Sequence, residues 1–293
     1  MKNSAPAGIP VRIQRENLER LRNFCLLDDD FFTKCFEENP ECVELVLRIV
    51  LEVPDLVVLD VRTQVFLANL LDRSVRLDVL ATDADGKKYN IEIQRDSRGA
   101  NSRRARYNSS MIDANILDKG DDFEKLPETY VIFITENDVM GDGEAVYQIE
   151  RCILKSGRRF GDGSHIVYVN GAFRDSSPIG LLMQDFSCPV PGKMHYNVLA
   201  DRARFFKESK EGVAIMCKAM EDLWKQGVEQ GIEQGIERGI EQGIEIGEEK
   251  KATKVALRML LDKKRNYAVD EIADISGLSI EEIRKLETEN RMQ

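Results

Sequence analysis

Residues 75–94 read VRLDVLATDADGKKYNIEIQ, and this stretch decides the fold that the sequence predicts. Apolar and polar side chains alternate along both halves of it. Because side chains along a strand point alternately to its two faces, the alternation predicts two strands that are each buried on one face. The residues between the halves include Asp83, Asp85 and Gly86, which are typical of a turn, so the two strands are predicted to form a hairpin.

The alternation also assigns the side chains of the hairpin to its two faces. The predicted core-facing set is apolar and comprises Leu77, Val79, Ile91 and Ile93. The opposite face carries a polar set that comprises Asp78, Glu92 and Gln94. The sequence therefore predicts two carboxylates and one amide on the same face of a single hairpin.

The register of the hairpin decides whether the two carboxylates meet. One register places Asp78 opposite Glu92 and leaves residues 83–87 as the loop. A two-residue turn at Asp85-Gly86 would instead set a carboxylate on the apolar face, so the longer loop is preferred. Like charges directly opposite each other destabilise a sheet, and a divalent cation between them relieves the repulsion. Hard oxygen ligands suit Mg²⁺ or Mn²⁺.

The spacing of these polar residues resembles a known nuclease motif. Asp78, followed after thirteen residues by Glu92-Ile93-Gln94, resembles the PD-(D/E)XK motif. Two longer stretches, RLDVLATDADGKKYNIEIQ at 76–94 and RRARYNSSMIDANILDKGDDFEKLPETYVIFITE at 103–136, more closely resemble the Rpn family of recombination-promoting nucleases and transposases. The resemblance extends over about residues 24–210, and a glycine-rich tail is also typical of that family.

The resemblance implies an α/β fold with a PD-(D/E)XK restriction-endonuclease-like core, in which helices flank a mixed sheet, and a C-terminal helical extension. It implies a metal-dependent DNA endonuclease linked to recombination or mobile elements. Asp78, Glu92 and the Ile93 carbonyl would hold Mg²⁺ (or Mn²⁺). Gln94 stands where the wider superfamily has lysine and would be the third catalytic residue, orienting the attacking water. Because glutamine cannot supply the charge of lysine, Arg95 or another arginine would supply part of it.

Three adjacent acids at 28–30 precede a helical pattern in the N-terminal part of the chain. The resemblance implies that an acid at the start of the first helix of the family approaches the active site. Asp28 or Asp29 would be that residue here. Acids also cap helix starts and complement the helix dipole, so simple capping remains an alternative for both.

An arginine-rich segment follows the hairpin directly. Residues 95–106 contain five arginines and one aspartate, a local charge of +4 within a chain whose net charge is −10. Gly99 and Asn101 predict a break, followed by a helix to about Leu117. Arginine can grip phosphate oxygens in bidentate fashion, although a solvated helix face is the alternative. The predicted phosphate-binding residues are Arg95, Arg98, Arg103, Arg106 and Tyr107, and the last three share one helix face.

The remaining segments complete the predicted domains. Residues 130–135 (YVIFIT) predict a buried strand, and two further strands are predicted at 145–149 and 165–169. Residues 194–220 are predicted to be mainly helical and to close the nuclease-like domain. The predicted domains are a nuclease-like domain at 1–222, a glycine-repeat helical linker at 223–250 and a small helical unit at 251–293.

The C-terminal part combines a repeat with two short helical patterns. Glycine recurs at every fourth residue from Gly227 to Gly247, which predicts a polar helix that self-associates or a frayed linker. VDEIADISGLSIEEIRKLE at 269–287 predicts two helices about Gly277, with Ser279 and Glu282 as a capping box. The pattern resembles a helix-turn-helix, but the acidic second helix favours packing over DNA reading.

Composition narrows the class of protein. The 293 residues are 42% hydrophobic and 32% charged, which fits a soluble protein with one large core and a smaller appendage. Because the net charge is −10, a DNA partner requires a local basic patch. The six cysteines lack zinc-site spacing and are predicted to be reduced thiols. The sequence shows neither a signal-peptide core nor a bilayer-spanning apolar segment, so a cytoplasmic location without a membrane partner is predicted.

Two other functions are also compatible with the sequence. One is a non-catalytic nucleic-acid-binding or self-assembling protein that retains the nuclease fold and forms a homo-oligomer through its C-terminal helical region. The other is a nuclease that acts on RNA. His165 and His195 lie in no ligand pattern, and no serine or cysteine has a convincing partner for nucleophilic catalysis.

Overall fold

The computed structural model describes residues 11–69, 73–262 and 265–291, and all structural statements refer to these ranges. The chain divides into two compact units, of which the first ends at Glu221 and the second begins at Asp222. Within the described ranges, no helix combines the length and the apolar character that a membrane span requires.

A six-stranded mixed sheet forms the centre of the first unit. The strands are β1 (Val58–Leu67), β2 (Val75–Asp83), β3 (Lys88–Gln94), β4 (Thr129–Thr135), β5 (Val146–Ile149) and β6 (Ser164–Asn170). Their order across the sheet is β1-β2-β3-β4-β6-β5. The β3–β4 and β4–β6 pairs are parallel, and the other three pairs are antiparallel. The predicted mixed sheet of an α/β fold is therefore confirmed.

Helices flank this sheet and continue into the second unit. The helices are α1 (Val11–Asn23), α2 (Asp29–Phe36), α3 (Pro40–Val50), α4 (Ser102–Ala114), α5 (Pro178–Phe186), α6 (Asn197–Glu208), α7 (Lys210–Leu260), α8 (Val269–Ser276) and α9 (Ile280–Arg291). The sequence did not predict α5. Local chemistry nevertheless accounts for its start, because Pro178 occupies a first-turn position and the Ser177 side chain accepts a hydrogen bond from the Gly180 amide.

The β2–β3 hairpin has the predicted register. Thr82 pairs with Lys88 at the loop end, and the ladder continues to Val79 and Ile91. In the loop, the Asp83 carboxylate accepts hydrogen bonds from the Asp85 and Lys87 amides and from the Tyr89 hydroxyl. Such side-chain bonds to local backbone stabilise a turn and pin the pairing of the strands that it joins.

The two faces of the sheet are covered by different helices. One face packs on residues from α2, α3, α5 and α6 and from the beginning of α7; its sheet residues include Val79, Ile91 and Ile134. The opposite face packs against α4 through residues such as Leu80 and Phe133. Because both faces are covered, even the polar face of the hairpin lies within the protein.

Leu77 does not share a face with Val79, so that prediction is wrong. Leu77 belongs with Leu80 to the cluster that packs against α4. The β1–β2 ladder keeps one register from Thr63–Val79 to Val65–Leu77, with a gap at Gln64 and Asp78. Gln64 has a φ of +51°, which lies outside the strand region, and Val65 and Leu77 beyond this gap both pack on the α4 side.

The second unit contains the predicted pair of short helices. Ala256 of α7, Ile272 of α8 and Ile283 of α9 form its buried cluster. Gly277 follows α8 with φ of +79°, the left-handed conformation that ends many helices. The predicted capping box is confirmed: the Ser279 amide donates to Glu282 and the Glu282 amide donates to the Ser279 hydroxyl. This pair of helices therefore packs on α7, in agreement with the predicted packing role.

Candidate active site

The backbone pairing of β2 with β3 ends at Val79 and Ile91, one residue before Asp78 and Glu92. Beyond this pair, carboxylate side chains accept the hydrogen bonds of the backbone amides. The Ile93 amide donates to Asp78 Oδ2 at 3.1 Å, and the Asp78 amide donates to Glu92 Oε1 at 3.3 Å. Each carboxylate thus satisfies a backbone amide of the opposite strand. This reciprocal exchange fixes both acids between the ends of the two strands.

Both acids are buried, and their burial dominates their electrostatics. Asp78 is 7% exposed and Glu92 is 0% exposed. Burial, followed by the charges of Glu92 and Asp29, raises the pKa of Asp78. Burial also raises the pKa of Glu92, although hydrogen bonding from Asn90 and the charge of Arg104 oppose the rise. Two buried negative charges are therefore unfavourable without a cation, and a bound cation would stabilise the ionised form of both carboxylates.

Helix α4 contacts Glu92 from the face of the sheet that this helix covers. Arg104 Nη2 donates to Glu92 Oε2 at 2.9 Å. Asn90 Nδ2 donates to Glu92 Oε1 at 2.8 Å, and the buried Asn108 donates to Asn90 Oδ1 at 3.5 Å. Since Arg104 and Asn108 are four residues apart, they lie on the same face of α4. One helix face thus reaches both oxygens of Glu92, one directly and one through Asn90.

Sequence reasoning missed the role of Arg104, which it had counted only as part of the local charge. The buried Ala105 and Ile112 mark the face of α4 that packs on the sheet. Arg104 and Asn108 flank these apolar residues, and a polar residue beside an apolar helix face is a signal that could have identified both. Choosing Glu92 as the partner of Arg104 nevertheless requires the three-dimensional structure.

The structure distinguishes the two candidate acids at the start of α2. The Asp28 carboxylate accepts a hydrogen bond from the Cys25 amide at 2.8 Å and pairs with Arg95 at 3.2 Å. Asp29 lies close enough to the hairpin acids for its charge to raise the pKa of both Asp78 and Glu92. Asp29, rather than Asp28, therefore acts electrostatically on the hairpin pair, although it does not complete a three-ligand cluster with them among the described residues. Simple capping does not describe Asp28, whose side chain makes no cap hydrogen bond to α2.

Gln94 lies at the end of β3 with its amide against Gly99. A Cβ atom added at Gly99 would lie 1.9 Å from Gln94 Oε1. The close approach therefore requires a residue without a side chain at position 99. Gln94 has the same strand parity as Glu92, so both project toward the α4 side of the sheet.

Most of the predicted phosphate-binding residues line one cleft, which Arg104 connects to Glu92. The cleft has a volume of about 940 Å³. Its arginines are Arg73, Arg76, Arg98, Arg103, Arg104 and Arg106. Tyr107 also lines this cleft, and its hydroxyl donates to the Arg73 carbonyl and accepts from Asn69. The name "arginine cleft" is used below for this surface. Arg73 and Arg76 were not predicted, because their positions before and within β2 give no helical clustering.

Arg95 and Arg98 make contacts that set them apart from the other arginines. Arg95 donates to the Leu27 carbonyl at 3.2 Å and to the Cys25 sulfur at 3.3 Å, in addition to its pair with Asp28. It therefore ties β3 to the segment before α2. Arg98 forms a forked pair with Asp96 at the exposed surface. That pairing reduces the net charge that Arg98 brings to the arginine cleft.

Comparison with known proteins connects this geometry to a family. Residues 59–171 match the family model of the PD-(D/E)XK nuclease family transposases. This segment thus contains a PD-(D/E)XK nuclease family domain, and the predicted superfamily is confirmed. The match includes most of β1, all of β2 to β6 and α4, and it contains Asp78, Glu92 and Gln94. No curated protein and no solved structure matches the chain. The domain supports a role related to nucleases or transposases.

PD-(D/E)XK nucleases generally use divalent metals, and the donor set at this site fits such an ion. No described residue donates a hydrogen bond to Asp78 Oδ1, and only Arg104 donates to Glu92 Oε2. The Ile93 carbonyl points to the same side of its strand as the amide that reaches Asp78. The described residues contain no cluster of three or more acidic, histidine or cysteine ligands. Two carboxylates with completing waters suit Mg²⁺, which often keeps several waters.

Proposed function

We propose that the protein is a metal-dependent DNA endonuclease that hydrolyses phosphodiester bonds in recombination or mobile-element biology. One observation carries the proposal. Two buried carboxylates are fixed between the ends of β2 and β3, and Arg104, which donates to Glu92, is one of six arginines that line a single cleft. The acids suit a divalent cation, and the arginines suit the phosphates of a nucleic acid. The family description supports the same reading.

Each residue of the site has a proposed role. Asp78, Glu92 and the Ile93 carbonyl hold Mg²⁺ or Mn²⁺, and Asp29 adds negative charge nearby. When bound, such a metal supplies an acidified water and neutralises charge at the scissile phosphate. The Gln94 amide orients the attacking water by hydrogen bonding. Gly99 keeps that amide in place by leaving room for it.

The arginine cleft is the proposed DNA-binding surface. The net charge of the chain is −10, so nonspecific attraction to DNA is expected only where cations concentrate. Arg103 and Arg106 are both exposed on α4, within the same cleft as Arg104. Arginines at this cleft would grip backbone phosphates and place one of them beside the acids. Direct phosphate contact by Arg95 is less favoured, because its guanidinium already has three partners.

A second candidate function, self-assembly, rests on the exposed glycine-repeat part of α7. Four isoleucines recur there at every fourth residue and are each more than half exposed: Ile232, Ile236, Ile240 and Ile244. The neighbouring glycines leave open space where a side chain would otherwise stand. We propose that the C-terminal helical region forms a homo-oligomer through this surface. Self-assembly is compatible with catalysis or can replace it in a non-catalytic nucleic-acid-binding protein.

Plasmid nicking by the full chain tests the endonuclease proposal. Supercoiled DNA is incubated with Mg²⁺, with Mn²⁺ or with a chelator, using wild type, Asp78→Asn and Glu92→Gln. Glu124→Gln is the matched control, because Glu124 is exposed on a short helical turn away from the described site contacts. Metal-dependent nicking by wild type and the control, but not by the two site variants, is expected. Equal nicking by all four proteins would exclude the proposed site, and a parallel RNA substrate separates the two nuclease classes.

A further inference from the structure

Arg104 connects the acidic pair to the arginine cleft. Its Nη2 donates to Glu92 Oε2 at 2.9 Å, and its Nη1 donates to the Gly99 carbonyl at 3.1 Å. The side chain is 36% exposed, while that of Glu92 is fully buried. The guanidinium also lies 5.8 Å from the centre of the Phe133 ring. The Arg104 side chain therefore contacts the buried Glu92 and is partly exposed to the arginine cleft.

The hydrogen bonds of Glu92 are divided unequally between its two oxygens. Oε1 accepts from the Asn90 side chain and from the Asp78 amide. Among the described residues, Oε2 accepts only from Arg104. A metal that binds Glu92 can therefore leave the Oε1 contacts intact by binding Oε2, the oxygen that Arg104 holds. Because the metal and the guanidinium are both cations, they repel each other at this oxygen, and metal binding opposes the Arg104 contact.

We propose that Arg104 exchanges between two anions: it holds Glu92 when no metal is bound, and it contacts a nucleic-acid phosphate once a divalent metal takes Glu92 Oε2. This inference rests on the proposed endonuclease function. The displaced guanidinium stays beside the other arginines of the cleft, where phosphate is the available acceptor. Metal binding thereby adds a phosphate contact without any rearrangement of the backbone.

The exchange makes metal and nucleic acid reinforce each other. Metal binding releases Arg104 for phosphate, and phosphate binding removes Arg104 from Glu92 and so removes the competitor of the metal. Thermodynamic linkage requires the two effects to be equal in size, and couplings of this kind are typically about 5- to 150-fold. A residue that only supports the fold would not produce such reciprocal coupling.

Calorimetric titration of the full chain with Mn²⁺, without nucleic acid, tests the competition. Arg104→Met removes the competing cation while keeping a long apolar stem, and Arg104→Gln removes the charge but keeps a hydrogen-bond donor for Glu92. Both variants are expected to bind Mn²⁺ at least about fivefold more tightly than wild type. Arg103→Met is the matched control, because it removes the same charge from an exposed neighbour on α4 and should leave Mn²⁺ affinity unchanged.

Duplex binding in a Gln94→Ala background, in which cleavage is expected to be about 10²–10⁴-fold slower, tests the second half of the exchange. Mn²⁺ should tighten duplex binding about fivefold or more when Arg104 is present and should not when Arg104→Met is added. Without metal, Arg104→Met should weaken duplex binding by a much smaller factor than it does with Mn²⁺ present. Uniform weakening with and without metal would indicate a structural role and overturn the exchange.

The two proposals fail in different ways. A wild type that binds no Mn²⁺ would overturn the endonuclease function, and the exchange with it. Mn²⁺ binding by wild type with equal or weaker binding by folded Arg104→Met and Arg104→Gln would overturn the exchange alone. Circular dichroism of both variants establishes that the fold is retained before the affinities are compared.

Discussion

At the residue scale, Asp78 and Glu92 can each carry a charge, and each also accepts a backbone hydrogen bond. Amide variants separate these properties, because asparagine and glutamine keep an acceptor oxygen but lose the charge. Alanine would remove both and leave a buried amide without its partner, which typically costs about 1–3 kcal/mol. Substitution by the matching amide is therefore the cleaner test of the site.

Asp78→Asn should stabilise the metal-free protein at pH 8. The folded state raises the pKa of Asp78, so it binds the proton more tightly than the unfolded chain does. Wild type without metal should therefore lose stability as pH rises above the ordinary aspartate range, by about 1.4 kcal/mol for each unit by which the pKa is raised. The Asp78→Asn variant has no carboxyl group at this position and lacks the penalty. Urea denaturation in a chelator from pH 5 to pH 8 measures the difference.

Mg²⁺ should reverse the order of stability. Wild type should gain about 2.7 kcal/mol at a metal concentration one hundred times the dissociation constant, because the ion binds only the folded state. Asp78→Asn should gain much less, while Glu124→Gln should respond like wild type. Equal stabilisation of Asp78→Asn and wild type by Mg²⁺ would contradict the assignment of Asp78 as a ligand.

Gly99→Ala should reproduce the loss of activity caused by Gln94→Ala. The added methyl would displace the Gln94 amide, which is the flexible end of a side chain, so the cost to stability should be small. Positioning and proton-transfer roles are typically worth about 10²–10⁴-fold, and each single variant should lose activity in that range. Single-turnover cleavage by the two single variants and the double variant measures the effect.

The double variant should be no slower than the slower single variant, because both changes remove the same positioned amide. Additive losses would show that Gly99 acts independently of Gln94. Retention of wild-type stability by Gly99→Ala, measured by thermal unfolding, is the control for the fold.

At the element scale, α4 combines an inner face that orients Glu92 with an outer face that lines the arginine cleft. Arg104 and Asn108 belong to the inner face, while Arg103 and Arg106 are exposed. The sequence identified the basic outer face because it counts charges at helical spacing. It could not identify the inner polar contacts, which depend on how α4 packs against β3 in the folded protein.

Arg103→Ala combined with Arg106→Ala should weaken DNA binding, because neither alanine can bind a backbone phosphate. Removal of one phosphate-binding cation lowers the slope of log affinity against log salt by about 0.9 for duplex DNA, so the pair should reduce the slope by nearly two units. Fluorescence anisotropy across a salt series measures the slope. An unchanged slope would mean that these arginines form a solvated helix face.

Alanine at Gly231, Gly235 and Gly239 should stabilise α7 in the full chain. A Cβ at each position meets open space, and glycine costs about 1 kcal/mol in a helix interior relative to alanine. Gly277→Ala is the opposing control, because its φ of +79° strains any side chain. Ellipticity at 222 nm should rise with the three alanines. If a second copy packs closely on this stripe, the same variant should instead lose the oligomer in sedimentation.

At the scale of the whole molecule, the two units hold separate hydrophobic clusters. The described core residues of the first unit fall between Leu21 and Met220, and those of the second fall between Ala256 and Leu286. We therefore expect residues 1–222 to fold alone and to retain metal-dependent nicking. Loss of the second unit should abolish any homo-oligomer formed through it, as measured by sedimentation. Failure of the shorter chain to unfold cooperatively would refute the independence of its core.

Sequence predicted the elements whose signal is local. Strand alternation gave the β2–β3 register because a one-residue slip would bury a carboxylate on the apolar face. The YVIFIT strand and the helices around Gly277 likewise follow from composition and caps. The failures lie where the local pattern is interrupted or where a distant segment intervenes: Leu77 changes face beside the non-strand φ of Gln64, and the segment before α2 engages Arg95. The choice of Asp29 over Asp28 also depends on how α2 approaches the hairpin.

The reciprocal bonds between the ends of β2 and β3 also affect how relatives of this chain should be read. Asp78 and Glu92 complete the hairpin where its ladder stops, so selection for folding alone would preserve an acceptor oxygen at both positions, which asparagine and glutamine also supply. If the proposed activity were lost in a relative, both acids could change to the matching amides without loss of these bonds. Carboxylates at both positions, together with Gln94 and Arg104, are therefore the expected marker of the proposed activity among relatives.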